Sequence, residues 1–446
     1  MEKTSVLKNT CFGSKYMKKL IYHSGLIFLI SFLSYQIIVF IESTISSTVG
    51  PGEFGQYKFL IRFVHGCSHL LLLGQDYALF YFLSKYLKEK KPGAYQGYFK
   101  WIFTSLIKRS ILFVLAIIWL HYETKGVVTL DITLGSVIVP IICVDTILNK
   151  HLLFHKAYLR SFIPRAILQS SSFTFFIFAL LYFEYPLTTE HIILSYGASF
   201  LVCCLAYYLL SLPFAKPHKT NDSTNKKQWV SNGLHFSIST FVITQSRSVI
   251  YFLVKFYEDW APSSGVEISE STLGYLGTIT TITFSYHLYT KGIELYLKPI
   301  ITRHLESGLL IELQQEIIHA NRIRYLIVWA ITLGICLFPE HYLYSWGDDN
   351  QYMQIIPELL TCAVLYHVYT ICQPALDYMI FGGHQKLVSR LLQIKFLSIC
   401  LLAYFLIPQY GLMGAVIADS LPAALSALAA AIWVRKHGTI RPLALL

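Results

Sequence analysis

Apolar residues gather in runs of about 20 that recur from one end of this chain to the other, the length an α-helix needs to cross a bilayer. The runs predict spanning helices near 20–45, 59–84, 99–120, 128–149, 162–183, 191–214, 231–256, 273–297, 324–346, 355–381, 391–407 and 411–434. Such a chain is an all-α, polytopic membrane protein. The spans fall six and six about the polar stretch from Lys216 to Lys227. The expected organisation is a bundle over 1–215, a cytoplasmic connector over 216–230 and a second bundle over 231–446. Halves with an even number of spans insert the same way round, as parallel repeats do. Phe54-Gly55-Gln56-Tyr57 before the second span is echoed by Leu273-Gly274-Tyr275-Leu276 before the eighth.

Composition agrees with lipid as the solvent: 54% of residues are hydrophobic and 14% charged, where a soluble domain carries about 25% charged residues. The first apolar stretch, Leu20 to Ser46, is longer than a signal-peptide core and reads as an uncleaved span. Nine cysteines show no metal-site spacing, so neither a zinc site nor a disulfide framework is expected. Basic residues then set the topology. With the N-terminus inside, 30 of the 36 Lys and Arg fall in inside segments and only Lys58, Lys125 and Lys255 outside, which places both termini in the cytoplasm. Between Arg303 and Arg324, Leu309, Leu310, Leu313, Ile317 and Ile318 recur at helical spacing. That segment is either an amphipathic helix on the inner membrane surface or a solvated approach to the ninth span.

Ionisable groups inside spans cost roughly 2.5–3.5 kcal/mol each on insertion scales and usually face a cavity or a partner. Arg62, His65, His69 and Asp76 fall on one face of the second predicted span, and Thr280, Thr283, His287, Lys291, Glu294 and Lys298 on one face of the eighth. Arg247 lies deep in the seventh span, with Thr240 and Thr244 on its face. Tyr366, Thr370, Gln373 and Asp377 form a stripe on the tenth, and Asp145 and Asp419 stand as single acids. For each of these an ordinary reading stays open. Arg62 and Lys291 sit where long side chains reach the interface, Asp76 is as well explained by pairing with a neighbour, and an intramembrane histidine often only hydrogen-bonds across helices. Lys108 and Arg109 read as inside anchors.

The stretch Val49-Gly50-Pro51-Gly52-Glu53-Phe54-Gly55-Gln56-Tyr57, followed by Leu73-Gly74-Gln75-Asp76-Tyr77-Ala78, resembles the signature of Wzx-type polysaccharide flippases. These belong to the multidrug/oligosaccharidyl-lipid/polysaccharide exporter superfamily. Leu273-Gly274-Tyr275 running on to Lys298-Pro299, and Tyr410-Gly411-Leu412-Met413-Gly414-Ala415, look similar to the same family. The glycines also suit a tight turn. Where many relatives carry an arginine after the L-G-x-x-x-A segment, this chain has Phe80 and Tyr81.

The resemblance implies two six-helix bundles around a central cavity in the bacterial cytoplasmic membrane. It implies a flippase without catalytic residues, cofactor or metal, which moves a polyprenyl-pyrophosphate-linked oligosaccharide such as an O-antigen unit of lipopolysaccharide from the inner to the outer leaflet. Expected partners are that lipid-linked oligosaccharide, membrane lipids and other polysaccharide assembly proteins, and not nucleic acid. On this reading Arg247, Arg62, Lys291, His287 and His69 are candidate cargo-binding residues, and Asp76, Glu294 and Asp377 candidate ion-coupling residues. A pyrophosphate suits the forked donors of arginine. A multidrug exporter on the same fold would need an acidic and aromatic cavity instead. A membrane polymerase or ligase would need a long catalytic outside loop, and the largest outside loop predicted, about Glu258 to Thr272, is short. The topology is testable with reporter fusions: a junction at Asn221 should report as cytoplasmic and one at Glu267 as external, and the reverse pattern would overturn the assignment.

Overall fold

The computed structural model describes residues 6–89, 91–125, 129–155, 157–214, 226–227, 229–231, 233, 246–260, 268–347, 351–381, 384–437, 441 and 443. These residues fold as helices joined by short connections, with no strand among them. The first half comprises α1 (Val6–Leu72), α2 (Gln75–Lys88), α3 (Pro92–Lys125), α4 (Leu130–Phe154), α5 (Tyr158–Ile163), α6 (Gln169–Tyr182) and α7 (Thr189–Ser211). The second comprises α8 (Ser246–Trp260), α9 (Glu270–Ser307), α10 (Leu310–Leu337), α11 (Pro339–Tyr344), α12 (Ile356–Phe381) and α13 (Gln385–His437).

Among the described residues, eight helices are long and apolar enough to cross a membrane. Two of them, Leu29–Leu72 and Lys386–His437, are bent at Gly50 and Gly411 and divide into two crossings each. The polar α9 and the 15-residue α8 fall on the eighth and seventh predicted spans. Most of the connector, 215–225, lies outside the described residues.

The bend at Gly50 shows what the turn signature does. Helix runs to residue 49 and resumes at 51, so the predicted connection between 45 and 59 shrinks to one residue. Gly50 takes φ 78° and ψ 171°, a backbone state that a side chain would strain. Pro51 begins the second limb, where its missing N–H goes unused. The second limb folds back on the first.

Helix α1 then joins the halves. It packs on α4, α6 and α7 of the first half and, across the molecule, on α8 and α9. At the end bearing the Gly50 bend this junction is a buried ion pair. Lys58 donates to Glu42 at 2.6 Å and to the Thr281 hydroxyl at 2.9 Å, and Thr281 donates to the same carboxylate at 2.8 Å. The two charged side chains are 7% and 9% exposed. Tyr35 donates to the Thr281 carbonyl at 2.8 Å beside them. Packing there is so close that a Cβ on Gly274 would lie 2.0 Å from the Pro51 carbonyl. The sequence counts Lys58 among the outside segments and gives no sign of a partner; the tight bend buries it against Glu42.

Three further expectations change. The second predicted span is not one continuous helix, since Leu73 (φ 49°) and Gly74 (φ 69°) break it between α1 and α2. The segment 303–324 is no separate surface helix: α9 ends at Ser307, Gly308 caps it, and Leu313 and Ile317 of α10 are buried among Leu297, Ile300 and Ala375. The end of the connector is likewise buried, with the Trp229 indole donating to the Tyr86 hydroxyl at 2.6 Å and its ring 5.1 Å from Tyr98.

Removing one member of a buried ion pair strands its partner, at a cost of about 3–5 kcal/mol, whereas an apolar replacement of both is near neutral. Lys58→Met should therefore lower the melting temperature of the purified protein sharply, and the double variant Glu42→Leu with Lys58→Met should recover most of the loss. Equal melting of Lys58→Met and wild type would show that the pair holds nothing together.

Candidate transport site

A charged cluster lies inside the first half, and backbone irregularities position it. Between α5 and α6 the chain makes a π-helical turn, Pro164–Leu168, in which the Gln169 N–H reaches back to the Pro164 carbonyl. Pro164 lacks the N–H of a regular helix, and such bulges recur at functional sites. The Ser161 carbonyl, one turn before, accepts from the Tyr207 hydroxyl at 2.6 Å and from the Asn149 amide. The turn carries Arg165 about 10 Å up from the start of α5, at 1.5 Å per residue.

The Arg165 side chain is 43% exposed, whereas the Asp145 carboxylate 3.9 Å from its guanidinium is wholly sealed. Arg165 also stands 6.0 Å from the Phe200 ring centre. His65, on the second limb of α1, meets the Tyr196 hydroxyl at 2.7 Å through Nε2, and its ring lies 6.2 Å from Phe200. One turn further, His69 lies in the fields of Arg165 and Lys150. Lys150 of α4 is in turn within electrostatic reach of Asp76 and Arg165. Arg62 completes the row, its guanidinium 5.4 Å over the ring of Tyr251 on α8. Three cations, two carboxylates and two histidines thus share one region with Tyr196 and Phe200.

The break at Leu73–Gly74 belongs to the same region. A helix end inside a membrane leaves carbonyls that need donors. Arg109 of α3 supplies one, donating to the Leu71 carbonyl at 2.7 Å. Gln75 donates to the Trp229 carbonyl at 3.1 Å and accepts from Tyr98 at 3.0 Å. Arg109, expected as an inside anchor, caps a broken helix.

Of the candidates named from sequence, the structure brings Arg62, His69 and Asp76 together, although Asp76 now begins α2 instead of continuing the face of Arg62. His287 is partly buried on α9, 5.7 Å from the Phe284 ring. Asp377 is 5% exposed on α12, in the turn after Pro374. Asp419 accepts from Tyr366 at 3.0 Å, so these two predicted positions do meet. The backbone of Arg247 lies in the first turn of α8, and that of Lys291 and Glu294 in α9; their side chains, with Thr240 and Thr244, lie outside the described residues.

Arg165 and Lys150 are the residues that sequence reasoning missed, having grouped both with the inside anchors. Arg165 falls within the predicted 162–183 span and directly follows a proline, a signal that could have singled it out. Arg324 carries the same lesson in the second half, being fully buried on α10 beside the buried Asn321.

No family model matches the chain, and no curated protein matches its sequence. Its fold does match solved structures over nearly its whole length. One is the inward-facing conformation of a multidrug resistance MATE family transporter of the MOP superfamily (TM-score 0.71, 13% identity, 91% of this chain and 94% of that chain). Another is the outward-facing conformation of a multidrug resistance MATE family transporter (TM-score 0.66, 14% identity, 95% and 96%). A third is a MOP superfamily transporter from Pyrococcus furiosus, for which reverse polarity of the binding pocket is said to suggest a different function (TM-score 0.66, 15% identity, 95% and 96%). At these identities the likeness is one of fold: the chain has the two-bundle architecture of MATE transporters of the MOP superfamily.

The cap at the helix break is testable. A hydrogen bond to a charged donor contributes about 1.5–3 kcal/mol, so Arg109→Ala should lower thermal stability by that order and Arg109→Lys by less. Unchanged melting in Arg109→Ala would mean that the Leu71 carbonyl is satisfied without it.

Proposed function

We propose that this protein is an alternating-access flippase that carries a polyprenyl-pyrophosphate-linked oligosaccharide from the inner to the outer leaflet of a bacterial cytoplasmic membrane. One observation carries the reading. Arg165 leaves nearly half of its side chain exposed, with Arg62 and Lys150 in the same cluster, while Asp145 beside it is sealed. An open cation backed by a sealed acid keeps its charge and offers it to an anion. In a site of reduced dielectric that anion is held more strongly than in water. A pyrophosphate fits the forked donors of Arg62 and Arg165. Tyr196, Phe200 and Tyr251 add aromatic faces for a sugar to lie against. The lipid tail can stay in the bilayer while the headgroup crosses.

The fold supports the alternating-access part, since neighbours of this architecture are described in both inward-facing and outward-facing conformations. The clasp of Glu42, Lys58 and Thr281 supports a state closed at the end bearing the Gly50 bend. A second reading, a multidrug exporter, is favoured by the names of those neighbours, and an organic cation would be drawn to Asp76 and Asp145. The polarity of the exposed group supports an anion, because the carboxylate of Asp145 is covered and the guanidinium is not.

Deletion of the gene should stop display of one surface glycan and leave its lipid-linked unit on the inner leaflet. In the complemented strain Arg165→Gln should abolish display at wild-type membrane abundance, with part of it restored by Arg165→Lys, which keeps the charge and loses the fork. Normal display with Arg165→Gln would overturn the site, and normal display in a clean deletion lacking other flippases would overturn the cargo. Loss of drug resistance with glycan display intact would establish the exporter.

A further inference from the structure

We infer that the lipid-facing groove between the two limbs of α13 is a binding site for an anionic phospholipid of the leaflet on the side of the chain termini, its phosphate at Lys395 and one acyl chain along the groove. The limbs run antiparallel from the bend at Gly411 and leave a groove of about 420 Å³ between them. Its walls follow helical spacing: Lys395, Ser398 and Leu402 on the first limb face Pro422, Ser426 and Ala429 on the second. Small side chains at Ser398, Ser426 and Ala429 leave the space between the limbs unfilled. The groove opens outward, since Ile394 and Leu425 on its rim are 61% and 54% exposed.

Such a groove at membrane depth faces acyl chains and not water, so its occupant is lipid. The charge selects which lipid. Lys395 lies 16 residues from Gly411, about 24 Å along the helix at 1.5 Å per residue. In a hydrocarbon core of about 30 Å this leaves the ammonium about 6 Å from the far interface, within reach of a headgroup phosphate by snorkelling. It is held over the Tyr369 ring at 5.9 Å, which fixes it beside the groove mouth. From there the groove leads up toward Leu402 and Pro422, the direction an acyl chain takes away from its phosphate. The site lies on the second half's outer surface, apart from the cluster around Arg165, and does not depend on the cargo proposed above.

Native mass spectrometry of the full chain in detergent tests it, with palmitoyl-oleoyl phosphatidylglycerol titrated against phosphatidylcholine of the same chains. The first phosphatidylglycerol should bind about fivefold more tightly, the preference one basic residue gives near a headgroup. Lys395→Gln should erase that preference and Lys395→Arg should keep it. Ser426→Leu, which fills the groove, should weaken both lipids; Ser398→Leu serves the same purpose if Ser426→Leu melts early. Arg165→Gln, which removes the proposed cargo cation, should leave the preference for phosphatidylglycerol intact. Equal binding of the two lipids by wild type, or an undiminished preference in Lys395→Gln, would overturn the site. Loss of the preference in Arg165→Gln would place the lipid in the interior cluster and overturn it equally, leaving the glycan assay to judge the proposed function separately.

Discussion

A lysine and a glutamate buried together at the meeting of the two halves set the terms for the rest of this structure. Neither Glu42 nor Lys58 can stay charged in a membrane interior alone, and together they require near-ideal geometry plus a third partner to offset what water would have given them. Thr281 is that partner, bonded to both. Because it comes from α9 while the ions come from α1, the arrangement is complete only when the halves touch at this end. The close approach of Gly274 to Pro51 has the same meaning in steric form. Two bundles that met only through lipid-like surfaces would have little reason to prefer one contact over another, and the ion pair supplies the preference.

Breaking a helix within a bilayer frees backbone groups that lipid cannot satisfy, so each irregularity recruits polar side chains from its neighbours. At Leu73–Gly74 these are Arg109, Gln75 and Tyr98; at the π turn they are Asn149 and Tyr207. The polar interior of the first half is therefore partly a structural consequence of two backbone breaks. On the proposed function, Arg62, Lys150 and Arg165 with the acids around them are the part a cargo would meet. Separating the two sets matters for mutagenesis. A change at Arg109 acts on folding, whereas a change at Arg165 acts on a side chain that stands open.

Span number, the division into halves and the importance of the Gly50 turn were legible in the sequence, because each rests on hydropathy or on a backbone requirement local to a few residues. The stripe from Arg62 to Asp76 was legible only in part. Periodicity assumes an unbroken helix, and Leu73 in the left-handed region gives no sign of itself in composition. The partners of Lys58 and Arg165 were missed for a shared reason. The positive-inside pattern sorts cations by proximity to a span end, while what each one meets depends on a one-residue bend in one case and a proline-containing turn in the other. Glu42 attracted no notice at all, since a single acid near the end of an apolar run looks like an interface residue until its partner from another segment is known.

The second limb of α1 carries Lys58, Arg62, His65 and His69 at steps of four, three and four, so all four lie on one side of a single rigid element. Its upper part, paired with Glu42, holds the other half through Thr281; its lower part lines the cluster that faces Arg165. A motion that parts the halves at the clasp must carry Arg62 away from Tyr251 and shift the two histidines against Tyr196 and Phe200. On the proposed function this gives a direct route for coupling. An anion that binds Arg62 and Arg165 more tightly in one arrangement of this limb favours that arrangement by its difference in affinity, and nothing more is needed for the clasp to respond. The cost of withdrawing Thr281 from Glu42 and Lys58 then sets how large that difference has to be.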